Sequence, residues 1–230
     1  MGHGTNHRER PSEAVAGAVL WRHTAGPAPL RVLPDGCLDL IWTGGRLLVA
    51  GPDTGAHLVT GPPGASATGL RFAPGTAPAL LSVPAVELRD RRVPLADLWP
   101  ERRVRLLTQR VAEAAAPGRV LEEAVRPVDV DAYAPLIAGI LAGTRRGLAV
   151  SELAGQLGLS ERQLHRHSLR AFGYGPKVLA RVLRMRRAVR LARTGRPFAE
   201  LAIACGYADQ AHLSREIRAL TGVPLGELVG

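Results

Sequence analysis

The sequence has almost no lysine and very little cysteine. Lys177 is the only lysine, so 29 of the 30 cationic side chains are arginine. Cys37 and Cys205 are the only cysteines among 230 residues. Two cysteines are too few for a disulfide framework, and their scarcity favours a reducing compartment.

Long apolar runs are also missing. No run approaches the roughly 18 residues that a membrane-spanning helix needs. The segment from Met1 to Arg10 is polar and lacks the apolar core of a secretion signal. We therefore expect a soluble, cytoplasmic protein with no membrane partner.

Catalytic and cofactor motifs are absent as well. The sequence has no Ser-His-Asp motif, no phosphate-binding loop and no dinucleotide-binding glycine pattern. Asp35 and Asp39 flank a turn and do not form a convincing acid–base pair. Because these motifs are missing, we predict no enzyme activity and no cofactor. We also predict no metal site, because the spacing of the N-terminal histidines matches no ligand pattern. These histidines are His3, His7, His23 and His57.

The positive charge is concentrated in the last third of the chain. Residues 145 to 230 contain 15 Lys/Arg and 6 Asp/Glu, a net charge of +9. Residues 1 to 144 contain 15 Lys/Arg and 14 Asp/Glu, a net charge of +1. A strongly basic segment beside a nearly neutral one indicates that the basic part binds a polyanion, most often nucleic acid. The near-neutral part must have a different role.

The first half predicts a β-rich domain. Between Ala14 and about Leu98, short β-like runs alternate with turn signals such as Pro34-Asp35-Gly36 and Gly61-Pro62-Pro63-Gly64. This regular spacing favours a β-sandwich or barrel, with Ala77 to Leu81 as a short helix. The predicted strands are Val15–Trp21, Leu30–Leu33, Cys37–Thr43, Arg46–Ala50, His57–Thr60, Thr68–Phe72 and Val86–Arg89.

Two helices and a linker are expected to follow. An apolar stripe at helical spacing runs from Val104 to Ala115, and Val120 to Val125 predicts a second short helix. The stretch Arg126-Pro127-Val128-Asp129 is typical of a linker. The predicted fold is therefore α+β, with a β-rich regulatory domain over residues 1–128 and an all-α domain over residues 129–230.

The all-α domain contains one unit twice. Leu153-Ala154-x-x-x-Gly158 recurs as Leu201-Ala202-x-x-x-Gly206, offset by 48, and each glycine is followed by a second helix. Ser160 and Asp209 are suitable N-caps for these second helices. A helix, a glycine turn and a capped second helix form a helix-turn-helix unit, which places its second helix in the DNA major groove.

The second helices present side chains suited to base contacts. Arginine pairs with O6 and N7 of guanine, and glutamine pairs similarly with adenine. At 100° per residue, the outward side chains of the first unit are Arg162, His165, Arg166 and Leu169. Those of the second are Ala211, His212, Arg215 and Arg218, with Gln210 and Ser214 at the flanks.

A long helix, roughly Pro176 to Arg193, is predicted to join the two units. Its apolar side faces both units and arginines occupy the rest. About 18 residues span roughly 27 Å, which suits recognition helices in successive major grooves about 34 Å apart. We expect Arg181, Arg187 and Arg218 to contact the DNA backbone.

Residues 133 to 230 resemble the DNA-binding domain of AraC/XylS-type transcription regulators. The resemblance implies base contacts from Arg162, His165 and Arg166 in the first unit and from the second-unit residues Gln210, Ala211, His212, Ser214 and Arg215. It also implies double-stranded DNA as the partner. The matching stretches are Leu153-Ala154 to Arg166, Gly173-Tyr174-Gly175-Pro176, Ile203-Ala204-Cys205-Gly206-Tyr207, Leu213-Ser214-Arg215 and Thr221-Gly222-Val223-Pro224.

The resemblance has one departure in the first unit. Ser168 stands where the family usually has a large apolar residue, so the first recognition helix is expected to be less firmly seated. In the N-terminal half, Pro34 to Trp42, Gly69 to Gly75 and Val93 to Trp99 resemble a cupin-like sensor domain. This implies a β-barrel and control by a small-molecule effector or a partner.

Two other functions remain open at this stage. Cys37 follows a Pro-Asp-Gly turn, and a DNA-repair methyl acceptor would use such a thiol, although its usual cysteine cluster is missing. A nonspecific architectural DNA-binding protein is the second alternative. The sequence also leaves open whether the regulator activates or represses, whether it contacts RNA polymerase, and whether it is a monomer or a homodimer.

Overall fold

The computed structural model describes residues 7–125 and 133–229. The predicted linker 126–129, and with it the domain boundary at 128/129, lies outside the described residues. All the described strands lie before this gap, together with several short helices, and the regular elements described after it are all helices, so the predicted α+β class is confirmed. The strands are β1 His7–Pro11, β2 Val19–Thr24, β3 Leu30–Val32, β4 Asp39–Thr43, β5 Arg46–Ala50, β6 His57–Val59, β7 Ser66–Arg71 and β8 Arg92–Pro94.

The strands form two antiparallel sheets. Six of them pair in the order β1-β2-β7-β4-β5-β8, and β3 pairs with β6 in a separate two-stranded sheet. Within the described ranges no ladder joins β1 to β8, so the larger sheet has two free edges. Leu40 lies opposite Leu70 on β7 and Val49 on β5, and all three side chains are buried on the face that packs the core.

The structure corrects one predicted strand and adds one that was not predicted. Val86–Arg89 is not a strand, because Ala85–Leu88 forms a 3₁₀ turn that buries Ala85 and Leu88 at a spacing of three. The last described strand, β8, begins at Arg92, four residues after Leu88. The polar segment His7–Pro11 is an edge strand, β1, that the sequence analysis missed because its side chains show no buried face.

Three helices and two 3₁₀ turns complete the N-terminal half. Its helices are α1 Ala77–Leu81, α2 Glu101–Glu113 and α3 Pro117–Ala124, and a second 3₁₀ turn spans Leu95–Asp97. The predicted stripe of α2 buries Val104, Leu107 and Val111, but Ala115 lies beyond the end of the helix. Pro117 occupies the first turn of α3, where its missing N–H costs no hydrogen bond.

The C-terminal half consists of seven helices in the described residues 133–229. They are α4 Ala134–Arg146, α5 Val150–Gln156, α6 Glu161–Phe172, α7 Pro176–Ala192, α8 Phe198–Ala204, α9 Gln210–Thr221 and α10 Leu225–Val229. Each described helix is too short or too polar to cross a membrane.

In the part of the chain that the structure describes, the buried hydrophobic side chains form three separate cores. The first fills the N-terminal domain around Leu40, Leu70 and Phe72. The second lies in the first half of the helical domain, and the third in its second half. Helix α7 contributes to both helical cores, Leu179 and Val182 to one and Met185 and the following apolar residues to the other. The predicted long connector therefore packs against both units.

Candidate nucleic-acid interface

The first helix-turn-helix unit is formed by α5 and α6. Gly158 adopts a positive φ of 67°, the left-handed conformation that the tight turn requires and glycine adopts without strain. Ser160 then caps α6: its Oγ accepts from the N–H of Gln163, and the Gln163 side chain accepts from the N–H of Ser160. This capping box fixes the point at which the recognition helix begins.

The second unit repeats this geometry with α8 and α9. Gly206 has a φ of 74°, and Asp209 caps α9 by accepting a hydrogen bond of 2.6 Å from the N–H of His212. Both predicted N-caps are thus confirmed. They were predictable because a capping side chain bonds to a backbone N–H only three residues away.

The predicted base-contacting side chains lie on the outer faces of α6 and α9. Leu164 on α6 and Leu213 on α9 are fully buried and hold the opposite faces in their cores. Seven of the predicted residues are exposed and only His212 is half-buried. The exposed residues are Arg162, His165, Arg166, Gln210, Ala211, Ser214 and Arg215.

His212 is oriented by its own unit. Its Nδ1 accepts from the backbone N–H of Ala208 at 3.2 Å, and its ring meets the ring of Tyr207 edge to face at 5.3 Å. Because Nδ1 is the acceptor, Nε2 carries the proton of the neutral ring. The imidazole therefore offers a hydrogen-bond donor from a fixed position beside the N-terminus of α9.

Ser168 seats the first recognition helix through a hydrogen bond. The side chain is fully buried, and its Oγ donates to the carbonyl oxygen of Tyr174 at 2.7 Å. Phe172 and Leu164 are also fully buried, so the core around this position is filled without the large apolar residue. A polar contact thus stands where the family usually has an apolar one, and the expectation of a less firmly seated α6 stays a prediction.

The arginines predicted to contact the DNA backbone differ in their surroundings. Arg187 and Arg218 are exposed, and in the described residues neither side chain has a hydrogen bond or an ion pair. The guanidinium of Arg181 instead pairs with Glu216 on α9, with Nε 2.8 Å from Oε2. Arg181 is thus engaged within the domain, and its backbone contact stays a prediction.

A cleft of about 1170 Å³ lies between the N-terminal domain and α7, beside the place where Asp35 meets Arg186. Asp35, Cys37 and Arg71 line it on one side, and arginines of α7 such as Arg184 and Arg190 line it on the other. With many cationic groups and few carboxylates, the cleft has a positive potential that attracts anions.

The surroundings of Cys37 suppress thiolate formation. Burial and the nearby carboxylates of Asp35 and Asp39 raise the pKa of the Cys37 thiol well above its ordinary value. The attacking species of a methyl acceptor is the thiolate, which this site disfavours. The structure therefore weighs against the repair hypothesis.

The sequence analysis missed the contacts between the two halves of the chain. Arg31 on β3 donates to the carbonyl oxygen of Thr221, Arg89 donates to that of Gly173, and Arg186 on α7 lies 3.7 Å from Asp35. The first two partners are 190 and 84 residues apart in the chain. No local pattern marks such pairs, and only aligned homologues with paired changes would have revealed them.

Two family models match the chain. Residues 153–229 match a family described as helix-turn-helix domain, and residues 10–94 match a domain of unknown function, DUF6597. A comparison with curated proteins found no match. The first model spans both helix-turn-helix units, from α5 to α10, and the second spans the sheets but assigns them no role.

Solved structures of transcription regulators are similar to the chain. A variant of apo ToxT from Vibrio cholerae is 11% identical, with a TM-score of 0.50 over 95% of this chain and 98% of that one; at this identity the likeness shows the fold alone. An AraC-type regulator from Chromobacterium violaceum is 24% identical over 41% of this chain and 89% of that one, with a TM-score of 0.39. A probable AraC family regulator from Rhodopseudomonas palustris is 26% identical over 39% of this chain and 86% of that one, with a TM-score of 0.35.

Two capped recognition helices with exposed polar faces, joined by one helix, define a tandem helix-turn-helix DNA-binding protein. The family match covers both units, and it agrees with the motifs of residues 133 to 230. The chain is a DNA-binding transcription regulator whose C-terminal domain is of the AraC/XylS type.

Proposed function

We propose that this regulator recognises its DNA sequence through both units at once. Arg162, His165 and Arg166 of α6 contact base edges in one major groove. The residues of α9 that contact the next groove are Gln210, Ala211, His212, Ser214 and Arg215. The observation that carries this proposal is the exposure of the two faces, since each recognition helix buries one side and exposes the named side chains of the other, except His212, which is half-buried.

Affinity that does not depend on sequence comes from the arginines around these faces. Arg187 and Arg218 contact phosphates, and each contact releases condensed counterions from the DNA. Residues 145 to 230 carry the net +9 that this requires. The chain divides at about residue 128 into a regulatory and a DNA-binding domain, acts in the cytoplasm and catalyses no reaction.

Selection from a random DNA pool tests the proposal. The full chain is expected to enrich a site of two blocks separated by about one helical turn, with a specific-to-random affinity ratio of roughly 10³ or more. A ratio near one would instead support a nonspecific architectural protein. A homodimer would enrich DNA with two copies of the two-block site, whereas a monomer would enrich DNA with a single copy.

The role of Arg215 is tested separately. Arg215→Ala should lose about 1 to 3 kcal/mol of discrimination at one base pair, while a phosphate-contacting variant such as Arg187→Ala should weaken all sequences nearly equally. Equal weakening of every sequence by Arg215→Ala would contradict base recognition. Intact-mass measurement after exposure to methylated DNA tests the repair alternative, which requires a methyl group on Cys37.

The cleft beside α7 favours control by a small anionic effector. It is lined by residues of both domains, so a bound molecule would change how they pack. Octanoate is a suitable anionic probe and octanol its neutral match. Octanoate should raise the melting temperature more than octanol, because ligand binding to the folded state stabilises it. Equal effects would contradict an anionic effector.

A further inference from the structure

Each recognition helix ends against an arginine of the N-terminal domain. Arg31 donates from Nη1 to the carbonyl oxygen of Thr221, the last residue of α9, at 2.8 Å. Arg89 donates from Nη1 to the carbonyl oxygen of Gly173, the C-cap of α6, at 3.4 Å. The last carbonyls of a helix carry partial negative charge and lack helical partners, so a cation is favourable there.

The two contacts lie at the same end of the two recognition helices, with the accepting carbonyls one position apart in the repeat, since Thr221 corresponds to Phe172 and Gly222 to Gly173. Gly173 and Gly222 are the C-caps of α6 and α9, are 49 residues apart like the other equivalent positions of the recognition helices, and have φ values of 80° and 76°. A Cβ on Gly173 would lie 2.5 Å from Pro52, and one on Gly222 would lie 3.2 Å from the Arg31 guanidinium. The N-terminal domain thus closely approaches the same end of both helices.

The two units have little else to fix their relative placement. Within the described residues, their apolar side chains form two separate cores, and α7 is the one helix that contributes to both. A single shared helix leaves bending and twisting of one unit against the other opposed only by the stiffness of that helix. A domain that contacts both units outside α7 adds a second connection between them and restricts their bending and twisting.

The N-terminal domain also contacts α7 itself. Asp35 lies 3.7 Å from Arg186, and a Cβ on Gly36 would lie 3.7 Å from the Leu179 side chain. Leu33 packs on the core of the second unit. The domain therefore contacts the connector and the C-terminal ends of both recognition helices.

We propose that Arg31 and Arg89 are positioning residues that hold α6 and α9 at one separation, so that the N-terminal domain determines the spacing between the two DNA blocks. This inference rests on the proposed recognition of DNA by both units. One added base pair shifts a block by about 3.4 Å along the duplex axis and rotates it by about 35°. If the N-terminal domain holds both recognition helices, they cannot move apart and rotate to match the displaced block. If α7 alone joins the two units, the helices can adjust to it more readily.

The test uses the full chain and the site selected from random DNA. Duplexes carry the same two blocks with the selected spacer and with spacers one and two base pairs longer or shorter. The wild type is expected to lose about tenfold or more in affinity when one base pair is added, comparable to one mismatched pair. In the double variant Arg31→Ala, Arg89→Ala the loss is expected to fall below about threefold, with base preferences inside each block unchanged.

Matched variants separate this role from charge and from folding. Arg22→Ala removes an exposed arginine of the same domain whose side chain has no hydrogen bond or ion pair in the described residues, and it should keep the wild-type spacing preference. Arg31→Lys retains a cationic donor and should keep it too. The single variants Arg31→Ala and Arg89→Ala decide the question if the double variant does not fold, and each should show a partial loss of preference.

Three results would overturn the proposal. The first is an unchanged spacing preference in the alanine variants, and the second is an equal change in Arg22→Ala. The third is a uniform loss of affinity at every spacing, which would indicate a merely electrostatic role. If the wild type selects no two-block site, the proposed function fails first, and that outcome is distinct from all three.

Discussion

The guanidinium of Arg181 on α7 forms a two-point ion pair with the carboxylate of Glu216 on α9. Nε lies 2.8 Å from Oε2 and Nη2 lies 3.2 Å from Oε1. This parallel arrangement is the strongest geometry available to an arginine and a carboxylate. It fixes the second recognition helix to the connector on the side that does not face its core.

Glu216→Gln should weaken this attachment and reduce the free energy of unfolding. Arg181 is 40% exposed and Glu216 is 21% exposed, so solvent screens much of the attraction. We expect a loss of about 0.5 to 1 kcal/mol at neutral pH, in the range of partly exposed pairs. Urea denaturation measures it, and Glu200→Gln, on the exposed side of α8, should change stability less.

The same pair gives a pH dependence with a defined sign. The hydrogen bond from Arg181 holds the pKa of Glu216 below its ordinary value of 4.5. The stabilisation is therefore fully present above pH 4.5 and is lost as the pH falls through the lowered pKa. The stability difference between the wild type and Glu216→Gln should shrink on acidification below pH 4.5. A difference that grows there would contradict this assignment.

Ser168→Ala tests the hydrogen bond that seats the first recognition helix. The substitution leaves the carbonyl oxygen of Tyr174 buried without its donor, which should cost about 1 to 3 kcal/mol. Ser151→Ala, at an exposed position of α5, is the matched control and should stay within about 0.5 kcal/mol of the wild type. Equal stabilities of the two variants in urea denaturation would show that the Ser168 contact contributes little.

Helix ends and turns were predictable from the sequence because their determinants are local. Ser160 and Asp209 cap helices through residues three positions away, and Gly158 and Gly206 provide turns that need a positive φ. The strand Arg46–Ala50 agrees with its prediction at both ends, since it buries Leu47, Val49 and Ala50.

Contacts that depend on the assembled fold were not predictable. The edge strand β1 has no apolar alternation, and its place is set by pairing with β2, where His7 lies opposite His23. The hydrogen bond from Ser168 depends on the path of the chain after α6. The contact between Arg31 and Thr221 joins residues 190 positions apart, so the placement of the N-terminal domain on the recognition helices could not be derived from local patterns.

Glu122→Gln should destabilise the N-terminal domain. Burial tends to raise the pKa of Glu122, but hydrogen bonds from Arg10 and its neighbours hold it below its ordinary value. Arg10 binds both carboxylate oxygens, at 3.1 and 2.9 Å, and thereby ties the edge strand β1 to α3. Loss of the charge should cost about 1 to 3 kcal/mol. The neighbouring Glu123→Gln, which removes an exposed pair with Arg110, should cost less than about 1 kcal/mol in the same denaturation experiment.

Arginines of α7 and α9 should differ in how they affect the salt dependence of DNA binding. Arg187 and Arg218 are exposed and unpaired within the described residues, so Arg187→Gln and Arg218→Gln should each reduce the slope of log K against log salt by about 1. Arg181→Gln should reduce it less, because Arg181 already pairs with Glu216. Arg22→Gln in the N-terminal domain is the control for net charge. Titrations of the selected site at four salt concentrations measure the slopes, and equal slopes for Arg187→Gln and Arg22→Gln would contradict a phosphate contact by Arg187.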